Sequence, residues 1–217
     1  APRGTGKLSV HTITTRPWPI ETAVEKYAAA GVAGISIWIE ALEGRDPVRV
    51  ARQIQDAGLE AVSLVRGGFF PSLHASGREA AVAENIRLIE LAHTLGTPMI
   101  VLVCGAKPGL SLEEARRQTV EGISRILPAA RENGIRLAIE PLHPMYSDTR
   151  SAVNTMEQAN DICDELDTPL LGIAVDVYHL WWDSRLGEEI ARAGRKNRIF
   201  GFHTCDWKYP VEDILND

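Results

Sequence analysis

The stretch RLAIEPLHP, residues 136–144, contains a short apolar run that stops at a carboxylate, Glu140. Short aliphatic and β-branched runs bounded by glycine, proline or polar residues are typical of strands. Comparable runs occur along the whole chain. The seven predicted strands are residues 8–12, 34–39, 59–65, 98–104, 135–139, 171–175 and 198–203. One short structural unit therefore recurs from one end of the sequence to the other.

Segments with helical periodicity separate these predicted strands, because apolar residues recur in them three or four positions apart. Asp46-Pro47 and Ser111, which has a glutamate three residues later, are typical helix starts. Glycines that adopt a left-handed conformation are expected to end the helices. These are Gly31, Gly58, Gly96, Gly134 and Gly194. Strands that alternate with helices predict a parallel sheet covered by helices.

Two architectures fit this alternation, an open doubly wound sheet and a closed (β/α)8 barrel. An open sheet that binds a dinucleotide usually has Gly-x-Gly-x-x-Gly after its first strand, whereas here Val10 is followed by HTITTRPWP. We therefore predict an α/β fold, a (β/α)8 TIM barrel, as a single domain over residues 1–217. Only fourteen residues follow His203. We expect the eighth strand and helix to be missing and the domain to be incomplete at its C-terminus.

Composition excludes several classes of protein. Of the 217 residues, 45% are hydrophobic and 24% are charged, which is typical of a globular protein. No apolar run is long enough to predict a membrane span, and no signal peptide is evident. The net charge of -6 argues against a nucleic-acid partner. The three cysteines form no Cys-x-x-Cys pair, are expected to be buried, and indicate a cytoplasmic location.

Three successive predicted strands end in residues that suit a metal ion. The runs are LAIE, IAVD and FGFH, and their last residues are Glu140, Asp176 and His203. In a barrel, functional side chains lie at the C-terminal ends of the strands, so these three are expected to converge. Two carboxylates and an imidazole suit a divalent Mn, Mg, Co or Zn ion. The alternative is that each residue caps its strand or pairs with a loop charge.

Further residues at the same end of the predicted barrel are candidates for binding a substrate. His179, three residues after Asp176, is placed to contact a hydroxyl or carbonyl oxygen of the substrate. The alternative is that it only orients Asp176 and does not contact the substrate. The other candidates follow the first, second, third, fourth and seventh predicted strands. They are His11, Trp38, Arg66, Lys107 and Asp206.

Some of these candidates also have plainer interpretations. Arg66 and Lys107 suit a phosphate or carboxylate of the substrate, although loop charges are commonly only solvated. The glycine pair that follows Arg66, residues 67–68, is a weak signal for a phosphate cradle. Trp181-Trp182 predicts either a lid or a contact in a homo-oligomer, with at least one of the two rings packed in the core.

The runs RLAIEPLHP, GIAVDVYH and IFGFHTCDW resemble the xylose-isomerase-like TIM-barrel superfamily, in particular its sugar phosphate isomerase/epimerase group. The resemblance implies a divalent metal held by Glu140, Asp176 and His203, together with a glutamate on the eighth strand that has no counterpart here. It also implies that His179 contacts the substrate near the metal.

We therefore predict a metal-dependent isomerase or epimerase, or a related dehydratase, that acts on a small sugar or polyol-derived carbonyl compound through an enediolate. Glu140 would move the proton next to the carbonyl, and His179 would orient the substrate oxygen. Two alternatives stay open. One is a metal-dependent phosphodiesterase similar to endonuclease IV, against which the net charge of -6 counts. The other is a non-catalytic barrel that binds a sugar.

Overall fold

The computed structural model describes residues 7–205, which form seven parallel strands separated by helices. The strands are β1 Ser9–His11, β2 Gly34–Trp38, β3 Glu60–Gly68, β4 Met99–Val103, β5 Arg136–Ile139, β6 Leu171–Asp176 and β7 Ile199–His203. The helices are α1 Ile20–Ala29, α2 Pro47–Asp56, α3 Ala75–Leu95, α4 Leu112–Asn133, α5 Met156–Leu166, α6 Val177–Leu180 and α7 Leu186–Arg195. All seven predicted strands are present, and β3 extends three residues beyond its predicted end.

The strands pair in the order of the sequence, each parallel to the next, from β1 to β7. The sheet curls so far that its two outermost strands approach each other. The rings of His11, at the end of β1, and His203, at the end of β7, lie 4.6 Å apart between centroids. This curvature is that of a TIM barrel, and residues 7–205 supply seven of its eight strands.

The central strands bury apolar side chains on both faces, which explains their almost unbroken hydrophobic runs. One face of β4 contributes Ile100 and Leu102 to a large core under the helices. The other face contributes Met99 and Val101 to a smaller cluster that also includes Ala138 of β5. Layers of side chains thus fill the interior of the barrel. The side chains available for binding and catalysis therefore lie at the ends of the strands.

Most of the predicted helix ends are confirmed. The Asp46 carboxylate accepts a hydrogen bond from Val48 N at 3.0 Å, and Ser111 Oγ accepts one from Glu114 N at 3.1 Å. Gly194 was expected to end a helix, and this is wrong: it lies inside α7. The left-handed conformation occurs three residues later, at Asn197, whose φ is 54°. Asparagine tolerates this conformation well enough to replace glycine there.

Two of the three cysteines are buried as expected. Burial raises the pKa of Cys163 to about 12 and raises that of Cys104 as well, so both thiols are protonated and inert. The expectation fails for Cys205, which is exposed. Separately, none of the helices within residues 7–205 has the length and apolar character needed to cross a lipid bilayer.

Candidate active site

Glu140, Asp176 and His203 converge at the C-terminal ends of β5, β6 and β7. His203 Nδ1 lies 2.6 Å from Glu140 Oε1 and 4.0 Å from Asp176 Oδ2. Glu140 and Asp176 are themselves buried, with 8% and 9% of their surfaces exposed. The parallel topology brings these residues together, because neighbouring strands end side by side at one edge of the sheet.

Glu140 and His203 form a hydrogen-bonded pair of titratable side chains. Burial by itself favours the neutral form of both side chains, but their mutual hydrogen bond and the attraction of neighbouring charges together outweigh it. The pKa of Glu140 is lowered and that of His203 is raised. Glu140 is therefore an ionised carboxylate, and in the absence of any other cation His203 Nδ1 donates its proton to Oε1.

Asp176 lies in a less favourable electrostatic environment. Burial and the neighbouring charge of Glu140 raise the pKa of Asp176 to about 6. Its Oδ1 accepts a hydrogen bond from Tyr178 N at 2.8 Å, which fixes the carboxylate at the start of α6. Two carboxylates held together out of water favour a cation between them, because a cation relieves both the repulsion and the loss of solvation.

The structure also brings His179 to the carboxylates. Glu140, Asp176 and His179 form the one group of at least three potential metal ligands within residues 7–205 whose ligand atoms lie within 4.8 Å of one another. His179 Nδ1 accepts a hydrogen bond from His143 N at 3.2 Å. Burial lowers the pKa of His179 to about 4, so the ring is neutral at pH 7.

This hydrogen bond determines what His179 can do. A neutral imidazole carries one proton, and a ring whose Nδ1 accepts must carry that proton on Nε2. The Nε2–H of His179 is therefore a hydrogen-bond donor and has no lone pair to offer a metal ion. Tyr146 and Tyr178 pack edge-on against the ring at 5.7 and 4.9 Å between centroids, which holds it in place.

His11 is held in the same way on the other side of the site. Trp38 Nε1 donates a hydrogen bond to His11 Nδ1 at 3.2 Å, so the neutral His11 ring also carries its proton on Nε2. Burial and repulsion from His203 lower the pKa of His11 to about 4. Two of the predicted substrate contacts, His11 and Trp38, are thus linked to the carboxylates through His203.

A cavity of about 750 Å³ lies at the C-terminal ends of β1–β3, and Glu140, Asp176 and His203 are not part of its lining. Trp38 and Arg66, both predicted substrate contacts, line it. Glu40 also lines the cavity; sequence reasoning read it off at the end of the second predicted strand but assigned it no role. Sequence reasoning missed Arg16 and Arg150, which line the cavity too and lie in loops, where no periodicity marks a residue as functional. Arg16 was visible only as part of the polar stretch HTITTRPWP.

The remaining candidates lie elsewhere. Lys107 is exposed in the loop after β4 and does not line the cavity. Asp206 lies outside the described residues. Trp181 is 64% exposed, while Trp182 is partly buried and its Nε1 donates to His179 O at 2.8 Å. Trp182 therefore supports the segment that carries His179, and the predicted homo-oligomer contact stays a prediction.

The donor set of the site fits a divalent metal ion. Two buried carboxylates and an imidazole nitrogen that faces both of them are the mixed oxygen and nitrogen ligands that such ions take. Burial and the neighbouring charge of Glu140 raise the pKa of Asp176, and a bound cation would offset both effects. Glu140, Asp176 and His203 could hold such an ion, because His203 Nδ1 faces both carboxylates, at 2.6 and 4.0 Å.

Residues 24–217 match the family model that describes the xylose isomerase-like TIM barrel. Among curated proteins, an inosose isomerase of Bacillus subtilis (strain 168) is 24% identical over 152 residues, which are 69% of this chain and 52% of the relative. The chain thus spans about half the length of this curated relative.

Several solved structures are similar. A protein of Sinorhizobium meliloti 1021 has 44% sequence identity and a TM-score of 0.91, and the match covers 97% of this chain and 77% of that one. D-Psicose 3-epimerase, crystallised in the presence of D-fructose, has 18% identity, a TM-score of 0.78 and coverages of 90% and 72%. The IolI protein with a bound zinc atom has 24% identity, a TM-score of 0.77 and coverages of 93% and 74%. The last two similarities establish the shared fold.

Proposed function

The chain belongs to the xylose isomerase-like TIM barrel family, and from this premise we propose that it is a metal-dependent isomerase or epimerase of a small sugar or polyol-derived carbonyl compound. One observation carries the proposal. A buried, ionised carboxylate, Glu140, lies beside a second carboxylate and between two histidines at the mouth of the barrel. The inosose isomerase relative and the D-psicose 3-epimerase neighbour support the substrate class.

Glu140 is the proposed base. With Oε1 engaged by His203, its other carboxylate oxygen is the atom that removes a proton from the carbon next to the substrate carbonyl. The product of this step is an enediolate and a neutral Glu140. Return of this proton to the neighbouring carbon, with transfer of the hydroxyl proton from one oxygen to the other, completes an isomerisation, whereas an epimerisation also needs a proton donor on the opposite face of the substrate.

The histidines act as neutral hydrogen-bond donors in this proposal. His179 Nε2–H points its proton toward the oxygen on which negative charge develops, and the pKa of about 4 keeps the ring uncharged at neutral pH. His11 Nε2–H offers a second donor from β1. A bound divalent metal would supply Lewis-acid polarisation of the carbonyl and of the adjacent hydroxyl.

Exchange with solvent tests the shared first step. The full chain, with Mn, Mg, Co or Zn added in turn, is incubated in deuterium oxide with a panel of ketoses, hydroxypyruvate and inosose. We expect deuterium at the carbon next to the carbonyl, detected by mass spectrometry, for at least one compound. No exchange with any compound, despite bound metal, would overturn the enolisation mechanism. Cleavage of abasic DNA without exchange would instead support the phosphodiesterase alternative.

The two histidines are expected to respond differently to the same substitution. His203→Gln should weaken metal binding by about 100-fold or more, because it removes a proposed ligand and even outer partners of metal ligands are worth about 10-fold to 100-fold. His179→Gln should leave metal affinity nearly unchanged and raise KM, because its Nε2 is a protonated donor. Equilibrium dialysis with Mn or Zn measures both variants. If His179→Gln lost the metal and His203→Gln retained it, His179 rather than His203 would be the metal ligand.

A further inference from the structure

The cavity at the C-terminal ends of β1–β3, which Trp38 connects to His11, is lined by more positive than negative side chains. Its volume of about 750 Å³ is in the range of pockets that enclose small ligands. The lining contains four arginines, Arg16, Arg45, Arg66 and Arg150, and two glutamates, Glu40 and Glu43. Arg45 is already neutralised, because its Nε and Nη2 donate to the carboxylate of Glu21 at 3.0 and 3.3 Å. The remaining positive charge of the cavity lining comes from Arg16, Arg66 and Arg150.

Arg66 is held rigidly by aromatic rings. Its guanidinium carbon lies 5.5 Å from the ring centroid of Trp38 and 5.4 Å from that of Phe69. Cation–π contacts of this kind orient a planar guanidinium and leave its N–H edge available. The nearest carboxylate oxygen, Glu40 Oε1, lies 3.9 Å from Arg66 Nη2, which is beyond hydrogen-bond distance. The donors of Arg66 are therefore not used up by Glu40.

Arg150 and Arg16 are also available to an anion. Within residues 7–205 neither forms an ion pair with a carboxylate, in contrast to Arg45. Arg150 lies over the ring of Tyr146, with 4.9 Å between the guanidinium carbon and the ring centroid. This stacking positions the side chain without neutralising it, as the stacking of Arg66 does.

Both stacked arginines lie close to the proposed catalytic residues. Tyr146, under Arg150, also contacts the ring of His179, and the positive charge of Arg150 contributes to the lowered pKa of His179. On the other side, Trp38 contacts Arg66 and donates to His11. One molecule that reaches Glu140 with its carbonyl end would therefore place its far end among the arginines.

We propose that this cavity binds an oxyanion, a phosphate or a carboxylate, carried by the substrate at the end remote from its carbonyl group. The proposal rests on the proposed function for the position of the carbonyl end. Arg66 and Arg150 would donate to the oxyanion, since a guanidinium presents paired N–H groups that match two oxygens of a phosphate or carboxylate. Glu40 would oppose binding, because its carboxylate faces the same guanidinium.

Calorimetric titration of the full chain tests this proposal with three probes: D-fructose, D-fructose 6-phosphate and a hexuronate. We expect at least one charged probe to bind about tenfold or more tightly than D-fructose, the effect of one charge-assisted hydrogen bond. The stronger of the two charged probes identifies the oxyanion. Equal affinity for charged and neutral probes would overturn the proposal.

Substitutions that remove either a positive or a negative charge from the cavity make the test more specific. Arg66→Gln and the more exposed Arg150→Gln should each weaken binding of the charged probe about tenfold and leave D-fructose binding unchanged. Glu40→Gln should strengthen binding of the charged probe. Arg52→Gln, which removes an exposed charge of α2 that does not line the cavity, is the control and should change nothing. Equal losses for charged and neutral probes would show that the arginines only support the cavity wall.

The outcomes separate this proposal from the proposed function. Preferred binding of the charged probe without any deuterium exchange would keep the oxyanion site and overturn the isomerase proposal. Exchange with neutral sugars, together with no preference for a charged probe, would keep the isomerase proposal and overturn the oxyanion site.

Discussion

We expect Glu140→Gln to lower the rate of deuterium exchange about 1000-fold or more. The substitution keeps the size of the side chain and its ability to hydrogen-bond, but an amide accepts no proton from carbon. General base catalysis alone contributes about 100-fold to 10,000-fold. The same change also removes a negative charge from the proposed metal site, so the two effects act in the same direction.

Two measurements make the effect of Glu140→Gln specific. Exchange is measured at saturating metal, so that weaker metal binding is not mistaken for loss of the base. The matched control is Glu60→Gln, an exposed glutamate at the start of β3, on the opposite end of the barrel. We expect the control to retain full exchange. Wild-type exchange in metal-saturated Glu140→Gln would exclude Glu140 as the base.

The central cluster could be predicted from sequence because its position depends only on topology. Each of Glu140, Asp176 and His203 directly follows or ends an apolar run, and in a parallel sheet the ends of consecutive strands are neighbours. No knowledge of loop conformation was needed. The distances of 2.6 and 4.0 Å from His203 Nδ1 to the two carboxylates follow from that simple geometry.

The role of His179 was only partly accessible from sequence. Its spacing from Asp176 placed it near the site, but its protonated nitrogen depends on a hydrogen bond from the backbone of residue 143, which is 36 positions away in the chain. The arginines of the cavity were less accessible still. Arg66 lies in β3, but Arg150 lines the same cavity only because of the loop that carries it, and loop conformation is not encoded in a periodic pattern.

The glycine pair after Arg66 includes one position that the packing of the sheet restricts to glycine. Gly67-Gly68 is a weak signal for a phosphate cradle, but a structural requirement explains Gly68. Gly68 has a φ of 104°, and a Cβ on it would lie 2.0 Å from the carbonyl oxygen of Val103. The glycine lets the end of β3 approach β4 closely.

Asn85, on α3, holds the backbone of Gly68 in this close approach of β3 to β4. It is buried, its Oδ1 accepts from Gly68 N at 2.7 Å, and its Nδ2 donates to Gly68 O at 2.8 Å. The backbone between Arg66 and Phe69 is therefore held on both sides. Because these two residues contact each other through a cation–π interaction at the cavity, the packing of Gly68 also positions the cavity wall.

Gly68→Ala is consequently expected to lower the free energy of unfolding by about 3 kcal/mol or more, through backbone strain and a collision with rigid backbone atoms. Gly58→Ala is the matched control, because Gly58 also has a positive φ, 74°, but a Cβ added there would meet no atom within 4 Å. It should cost only about 1 kcal/mol, from the conformation alone. Urea denaturation measures both variants, and the difference between them isolates the collision with β4. Equal losses would mean that β3 can move away from Val103 at no cost, and that Gly68 does not fix the position of Arg66 and Phe69.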